Sequence, residues 1–222
     1  MKERGKLFYL LIFLLIILFF YPIFEGKNLG GKLLAVFFTG ILVTGVYAVS
    51  KNSLRKLVIS LLLGVPAAVL LWMEQFIEGR TLDALSYAFM AAFTFFTVYC
   101  VLAYIMRAKK VTPDILAGAV CTYLLLGISW GLLYALLETI VPGSFAIKGG
   151  TGKAAISSWS VFNYYSFTTL TTLGYGDITP VSARGQSLAL LEAVAGLLFM
   201  AILVARLVGM YTLHSQGRTE EN

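Results

Sequence analysis

The chain has 222 residues, 59% hydrophobic and 13% charged, with a formal charge of +6 and a mean hydropathy of +0.86. A typical soluble domain is roughly 25% charged, so this composition excludes a water-soluble globular enzyme: too few polar residues remain to cover its surface. The positive charge does not signal nucleic acid, because the Lys and Arg residues lie between apolar runs instead of gathering into a patch or stripe.

A helix crossing about 30 Å of hydrocarbon needs roughly 20 mainly apolar residues. Five charge-free windows qualify, at 7–24, 33–49, 57–73, 84–106 and 115–137. Pro66 is expected to kink the third. A sixth window, 186–210, carries Glu192 and Arg206 and is assigned on its length and the uncharged stretch between them. Lipid offers the backbone no partners, so all six are expected to be helical, giving an all-α membrane protein with six spans. Lys2, Arg4 and Lys6 look like the start of a signal peptide, but the apolar run is too long for one. Tyr21-Pro22-Ile23-Phe24-Glu25 also offers no small-residue cleavage site, so the first span is expected to be retained. Cys100 and Cys121 lie inside apolar windows at no metal or disulfide spacing and read as buried thiols.

With the N-terminus inside, the cytoplasmic side carries Lys2, Arg4, Lys6, Lys51, Arg55, Lys56, Arg107, Lys109, Lys110, Arg206 and Arg218. The outer side carries Lys27, Lys32, Arg80, Lys148, Lys153 and Arg184, mixed with acidic residues. The positive-inside bias therefore places both termini in the cytoplasm and the long connection, 138–185, outside.

That connection holds the sharpest chemistry. After Ser157-Ser158, expected helix caps, comes a run from Trp159 to Thr169 that is too short to cross a membrane but long enough for about three helical turns. Then follows Leu170-Thr171-Thr172-Leu173-Gly174-Tyr175-Gly176-Asp177-Ile178-Thr179-Pro180. Its alternating glycines permit backbone angles that put successive carbonyls on one side. A short helix that dips in, followed by extended backbone at membrane depth, requires a water-accessible cavity.

Thr172-Leu173-Gly174-Tyr175-Gly176-Asp177 resembles the selectivity filter of the potassium channel family, whose usual form has Val in place of Leu173. Thr171, the aromatics Tyr164 and Tyr165, Pro180 and Gly196 extend the resemblance from about Ile115 to Met210. It implies a re-entrant pore helix and filter loop between the fifth and sixth spans. It also implies stacked rings formed by the carbonyls of Thr172, Leu173, Gly174 and Tyr175, with the Thr172 hydroxyl, that coordinate dehydrated K+ as the permeant ion and need no cofactor. Gly176, Asp177, Tyr164, Tyr165 and Thr171 would support the filter. One filter segment supplies a quarter of a pore, so the implied partners are three further copies in a homotetramer, surrounded by membrane lipid. The resemblance divides the chain into a four-helix region at 1–110 with no motif, a pore domain at 111–213 and a polar cytoplasmic tail at 214–222, of which 216–221 is expected to be disordered.

Gly196 reads either as a gating hinge or as a close-packing glycine, and Gly127 and Gly131 form a GxxxG pair suited to close helix packing. Glu192 is a gating candidate because an ionisable group inside a span is functional by default; hydrogen bonding behind the pore helix is the favoured role and proton sensing the other. Asp177 is expected either to accept a hydrogen bond from Tyr164 or Tyr165 or to concentrate cations at the mouth. Arg206 is expected to snorkel, and His214 to be solvated. The fourth window lacks the spaced Arg or Lys of a voltage sensor. Neither a phosphate-binding loop nor a nucleophile and base pair is present. These features imply a passive potassium channel subunit of the plasma membrane, not an enzyme. The alternatives are a non-selective cation channel and, on weaker grounds, a secondary transporter.

Overall fold

A computed structural model describes residues 6–24, 28–49, 53–108, 110–148 and 159–219. These form α1 (Lys6–Phe24), α2 (Asn28–Val49), α3 (Leu54–Met73), α4 (Arg80–Arg107), α5 (Pro113–Ile140), β1 (Phe145–Ile147), α6 (Trp159–Leu170), β2 (Ile178–Pro180) and α7 (Ala183–Thr219). The architecture is helical, with one short ribbon added. β1 and β2 pair antiparallel, Phe145 opposite Pro180 and Ile147 opposite Ile178. This ribbon joins the segment after α5 to the segment after the glycine-rich loop.

Among the described residues, four helices are long and apolar enough to cross a membrane: α3, α4, α5 and the Ala183–Gly209 part of α7. The chain is a multi-pass membrane protein. The described apolar stretches of α1 and α2, Leu7–Phe19 and Ala35–Ala48, are shorter than a span. α3 stays helical through Pro66.

Local sequence explains where the helices begin and how they meet. Thr112 caps α5 by accepting the Ile115 N–H at 3.3 Å, with Pro113 in the first turn, where its missing N–H costs nothing, and Asp114 beside it facing the positive helix end. The core is centred on α5, whose Leu125, Ile128, Leu132 and Tyr134 are fully buried. Phe93 of α4 wedges between two glycines: a Cβ on Gly45 of α2 would lie 3.0 Å from its ring, and one on Gly64 of α3 would lie 3.1 Å away. Cys100 and Cys121 are free, buried thiols, and Cys121 Sγ donates weakly to the Leu7 carbonyl at 3.3 Å.

Arginines tie α4 to the rest of the chain at both ends. At its start, Arg80 donates to the last carbonyls of α5, Thr139 at 2.6 Å and Ile140 at 2.8 Å. At its finish, Arg206 of α7 donates to Met106 at 2.6 Å and Ala108 at 3.0 Å. Both cations meet helix C-termini, where orphan carbonyls and the helix dipole favour positive charge. Arg206 therefore does not simply snorkel: its head finds backbone acceptors 98 to 100 positions away.

α7 continues past the expected end at 210. The tail, expected to be disordered from Gln216, is helical to Thr219; an established helix extends at small cost per residue, and Gly217 alone does not stop it. The expectations for Lys2, Arg4, Lys51, Lys109, Lys153, Ser157, Ser158 and the side chain of His214 lie outside the described residues.

Candidate functional site: the loop between α6 and α7

The site is built on α6, twelve residues long, and on the small residues that let it approach α5. A Cβ on Gly131 would lie 2.9 Å from the Asn163 Cα, and one on Gly127 would lie 2.6 Å from the Phe167 ring. The GxxxG pair is thus the seat of α6. Phe162, Tyr165 and Ser166 are buried in this contact, while the polar groups of the following loop stay accessible.

α6 ends in a Schellman-type turn. The Thr172 N–H donates to the Thr169 carbonyl at 3.0 Å and the Leu173 N–H to the Thr168 carbonyl at 2.9 Å, with Thr172 itself left-handed at φ +60°. Glycine usually fills that position, and a β-branched residue there is held against its own preference. Gly174 at φ +51° and Gly176 at φ +71° are also left-handed, whereas Leu173 and Tyr175 are not. Such alternation gathers successive N–H groups on one side of the chain and turns the carbonyls to the other. The donors are spent on the helix end: Thr171 on Phe167 at 3.0 Å, and Gly174 on Thr168 at 3.0 Å. Among the described residues, no backbone N–H donates to the carbonyls of Thr172, Leu173, Gly174 or Tyr175. Leu173 and Tyr175 leave 54% and 66% of their surfaces exposed in the single chain.

The outer side of the loop is braced. Tyr164 donates to Asp177 Oδ2 at 2.7 Å. Tyr165 does not share this role: it is buried and packs edge-on against Tyr134 and Phe145, with centroids 4.9 Å and 5.5 Å away. The Asp177 carbonyl accepts the Lys148 N–H at 2.8 Å, and Val181 donates to the Ser144 carbonyl at 2.9 Å, so the β1–β2 ribbon clamps the exit of the loop. The turn before β1 is in turn held by Glu138, whose carboxylate accepts the N–H groups of Gly143 at 2.7 Å, Ser144 at 2.9 Å and Phe145 at 3.2 Å. Thr171 turns its hydroxyl back onto the Phe167 carbonyl at 2.6 Å.

Behind α6, Glu192 of α7 is fully buried. Tyr134 of α5 donates to its Oε2 at 2.5 Å, and Ser166 of α6 lies 2.5 Å from its Oε1. Gly196, one turn further along α7, sits against Leu170: an added Cβ would be 2.8 Å from the Leu170 carbonyl oxygen.

Sequence reasoning missed Glu138, Arg80, Tyr134, Ser166 and the ribbon. Glu138 and Arg80 counted only as outer charges; their separation, 59 to 60 positions from Arg80 to its acceptors, hides the pairing. The one available signal for the turn was Pro142-Gly143-Ser144 just after an apolar helix.

Residues 120–212 match a family model described as an ion channel. This stretch starts within α5, includes α6 and the loop, and ends in α7. Protein LctB of Bacillus caldotenax is 28% identical over 107 residues, which cover 47% of this chain and 78% of that protein. No solved structure matches. Residues 120–212 are therefore similar to an ion channel domain, and the family matched is one of channels, not of enzymes.

Proposed function

We propose that the chain is one subunit of a homotetrameric potassium channel, with six spans, α6 re-entrant, and both termini on the cytoplasmic side of the plasma membrane. The observation that carries this reading is the run of carbonyls from Thr172 to Tyr175, which receive no backbone N–H among the described residues, while the N–H groups of Thr172, Leu173 and Gly174 are bonded to the end of α6. Backbone acceptors at membrane depth need a partner, and rings of such oxygens can replace the hydration shell of a potassium ion. Leu173 coordinates through its backbone, so its difference from Val leaves the mechanism intact.

One chain offers one quarter of a ring. The exposed Leu173 and Tyr175 side chains, and the apolar face of α7 that includes Leu190, Val194, Leu197 and Val208, supply surfaces that three further copies would cover. The negative end of α6 points toward the loop, where it favours a cation. α4 carries no charge between Asp83 and Arg107; because each charge moved yields only about 2.3 kcal/mol per 100 mV, gating by voltage is expected to be weak.

Flux from liposomes under a potassium gradient tests this, with the mass of the intact oligomer measured on the same preparation. A tetramer that passes potassium but not sodium supports the reading. A monomer, or flux driven equally by sodium, overturns it.

A further inference from the structure

Three oxygens stand in a row behind α6 with one hydrogen too few between them. Ser166 Oγ lies 2.7 Å from the Gly127 carbonyl oxygen and 2.5 Å from Glu192 Oε1, both within hydrogen-bonding distance. A serine hydroxyl has a single hydrogen, and an ionised carboxylate has none to give. With Glu192 ionised, Ser166 could serve one neighbour only, and the other contact would press two lone pairs together. Tyr134 does not relieve this, because its hydrogen is directed at Oε2.

We propose that Glu192 carries a proton on Oε1 and donates it to Ser166. The bonds then run without conflict: Tyr134 Oη–H to Glu192 Oε2, Glu192 Oε1–H to Ser166 Oγ, and Ser166 Oγ–H to the carbonyl of Gly127. Each hydrogen has one acceptor. One neutral carboxyl group on α7 thereby fastens α5 and α6 together behind the filter loop. The surroundings agree with a neutral group. Tyr134 and Tyr123 of α5 and Tyr165 of α6 are its titratable neighbours, all phenols. An uncompensated charge buried there would be costly.

Glu192 is thus a positioning residue: it fixes the α6 helix from which the loop hangs. Its effect on conduction rests on the channel reading above, whereas the location of the proton does not. Glu192→Gln separates a hydrogen-bonding role from a charge-bearing one, because the amide also donates to Ser166 and accepts from Tyr134.

The test uses the full chain in lipid. Infrared difference spectra between wild type and Glu192→Gln at neutral pH are expected to show the C=O stretch of a protonated carboxyl in wild type only. That band should move in D2O and shift again in Ser166→Ala, where the acceptor is gone. Loss of a carboxylate band in place of it overturns the proposal. In flux, Glu192→Gln is expected to remain within about fivefold of wild type, with an unaltered profile between about pH 6 and about pH 8. Glu192→Ala should lose more than about tenfold, since it leaves the buried Tyr134 hydroxyl without its acceptor and removes the tie between α7 and Ser166. Abolished flux in an intact Glu192→Gln oligomer also overturns it. A wild type that shows the band yet passes no potassium upholds the proton and rejects the channel.

Discussion

Gly196 of α7 and Leu170, the last residue of α6, meet so closely that a Cβ on the glycine would lie 2.8 Å from the Leu170 carbonyl oxygen and 2.8 Å from its Cδ1. The glycine is required by this contact whether or not α7 also bends there. Gly196→Ala should destabilise the protein by about 1 to 3 kcal/mol through overpacking. It should also lower flux, because Leu170 stands just ahead of the Thr172 turn. Thermal unfolding and liposome flux of the purified variant check both effects; wild-type values in each would remove the contact from the mechanism.

The two glycines under α6 should differ in a definite order. Gly131→Ala pushes on the backbone of Asn163, which cannot move without shifting the whole helix, while Gly127→Ala pushes on the tip of the Phe167 ring. A ring can turn at moderate cost; a helix backbone cannot. Gly131→Ala is expected to lower the unfolding temperature further than Gly127→Ala, and the reverse order would contradict this packing.

Tyr164 and Tyr165 are adjacent yet should behave differently. Tyr164→Phe removes the bond to Asp177, worth about 1 kcal/mol at an accessible site. It should quicken the loss of conduction during sustained recordings with little change in thermal stability. Tyr165→Phe leaves the Asp177 brace intact, so it should not alter that decay. Equal decay in both variants would remove the brace.

Glu74, just beyond α3, provides a pH dependence outside the spans. Burial pushes its carboxyl from 4.5 up to about 7, with a hydrogen bond from Ser86 opposing the shift and Asp83 adding to it. The folded state then holds a proton that the unfolded chain releases, so stability is highest below 4.5 and falls as the pH rises toward about 7. Glu74→Gln should flatten that slope in unfolding experiments and be the more stable protein above neutral pH. An unchanged slope would show that Glu74 titrates normally.

Much of the segment between α5 and α7 was legible because its signals are local. The end of α6 and the left-handed Gly174 and Gly176 follow from residues adjacent in sequence, although the left-handed Thr172 was not foreseen, and the GxxxG spacing marks a helix contact through its period. What escaped notice joins distant residues. Arg80 needs the end of α5, Arg206 needs the end of α4, and Glu138 holds a turn that only the completed ribbon explains. Each uses a side chain whose type fits many roles, so nothing short of the fold selects the partner. The Tyr164 and Tyr165 pair illustrates the same limit: adjacent residues point to different sides of a helix, and only packing against Tyr134 decides which one reaches Asp177.

The most direct measurement is the reversal potential of single channels in a planar bilayer with potassium on one side and sodium on the other, for wild type and for Gly174→Ala. Gly174 is left-handed at φ +51°, so alanine there is strained and should turn the carbonyl run out of line. The expected result is a wild-type current that reverses far toward the potassium potential and is lost or unselective in the variant. A wild-type current reversing near zero, or an identical selective current in Gly174→Ala, would contradict a carbonyl filter at residues 172–175.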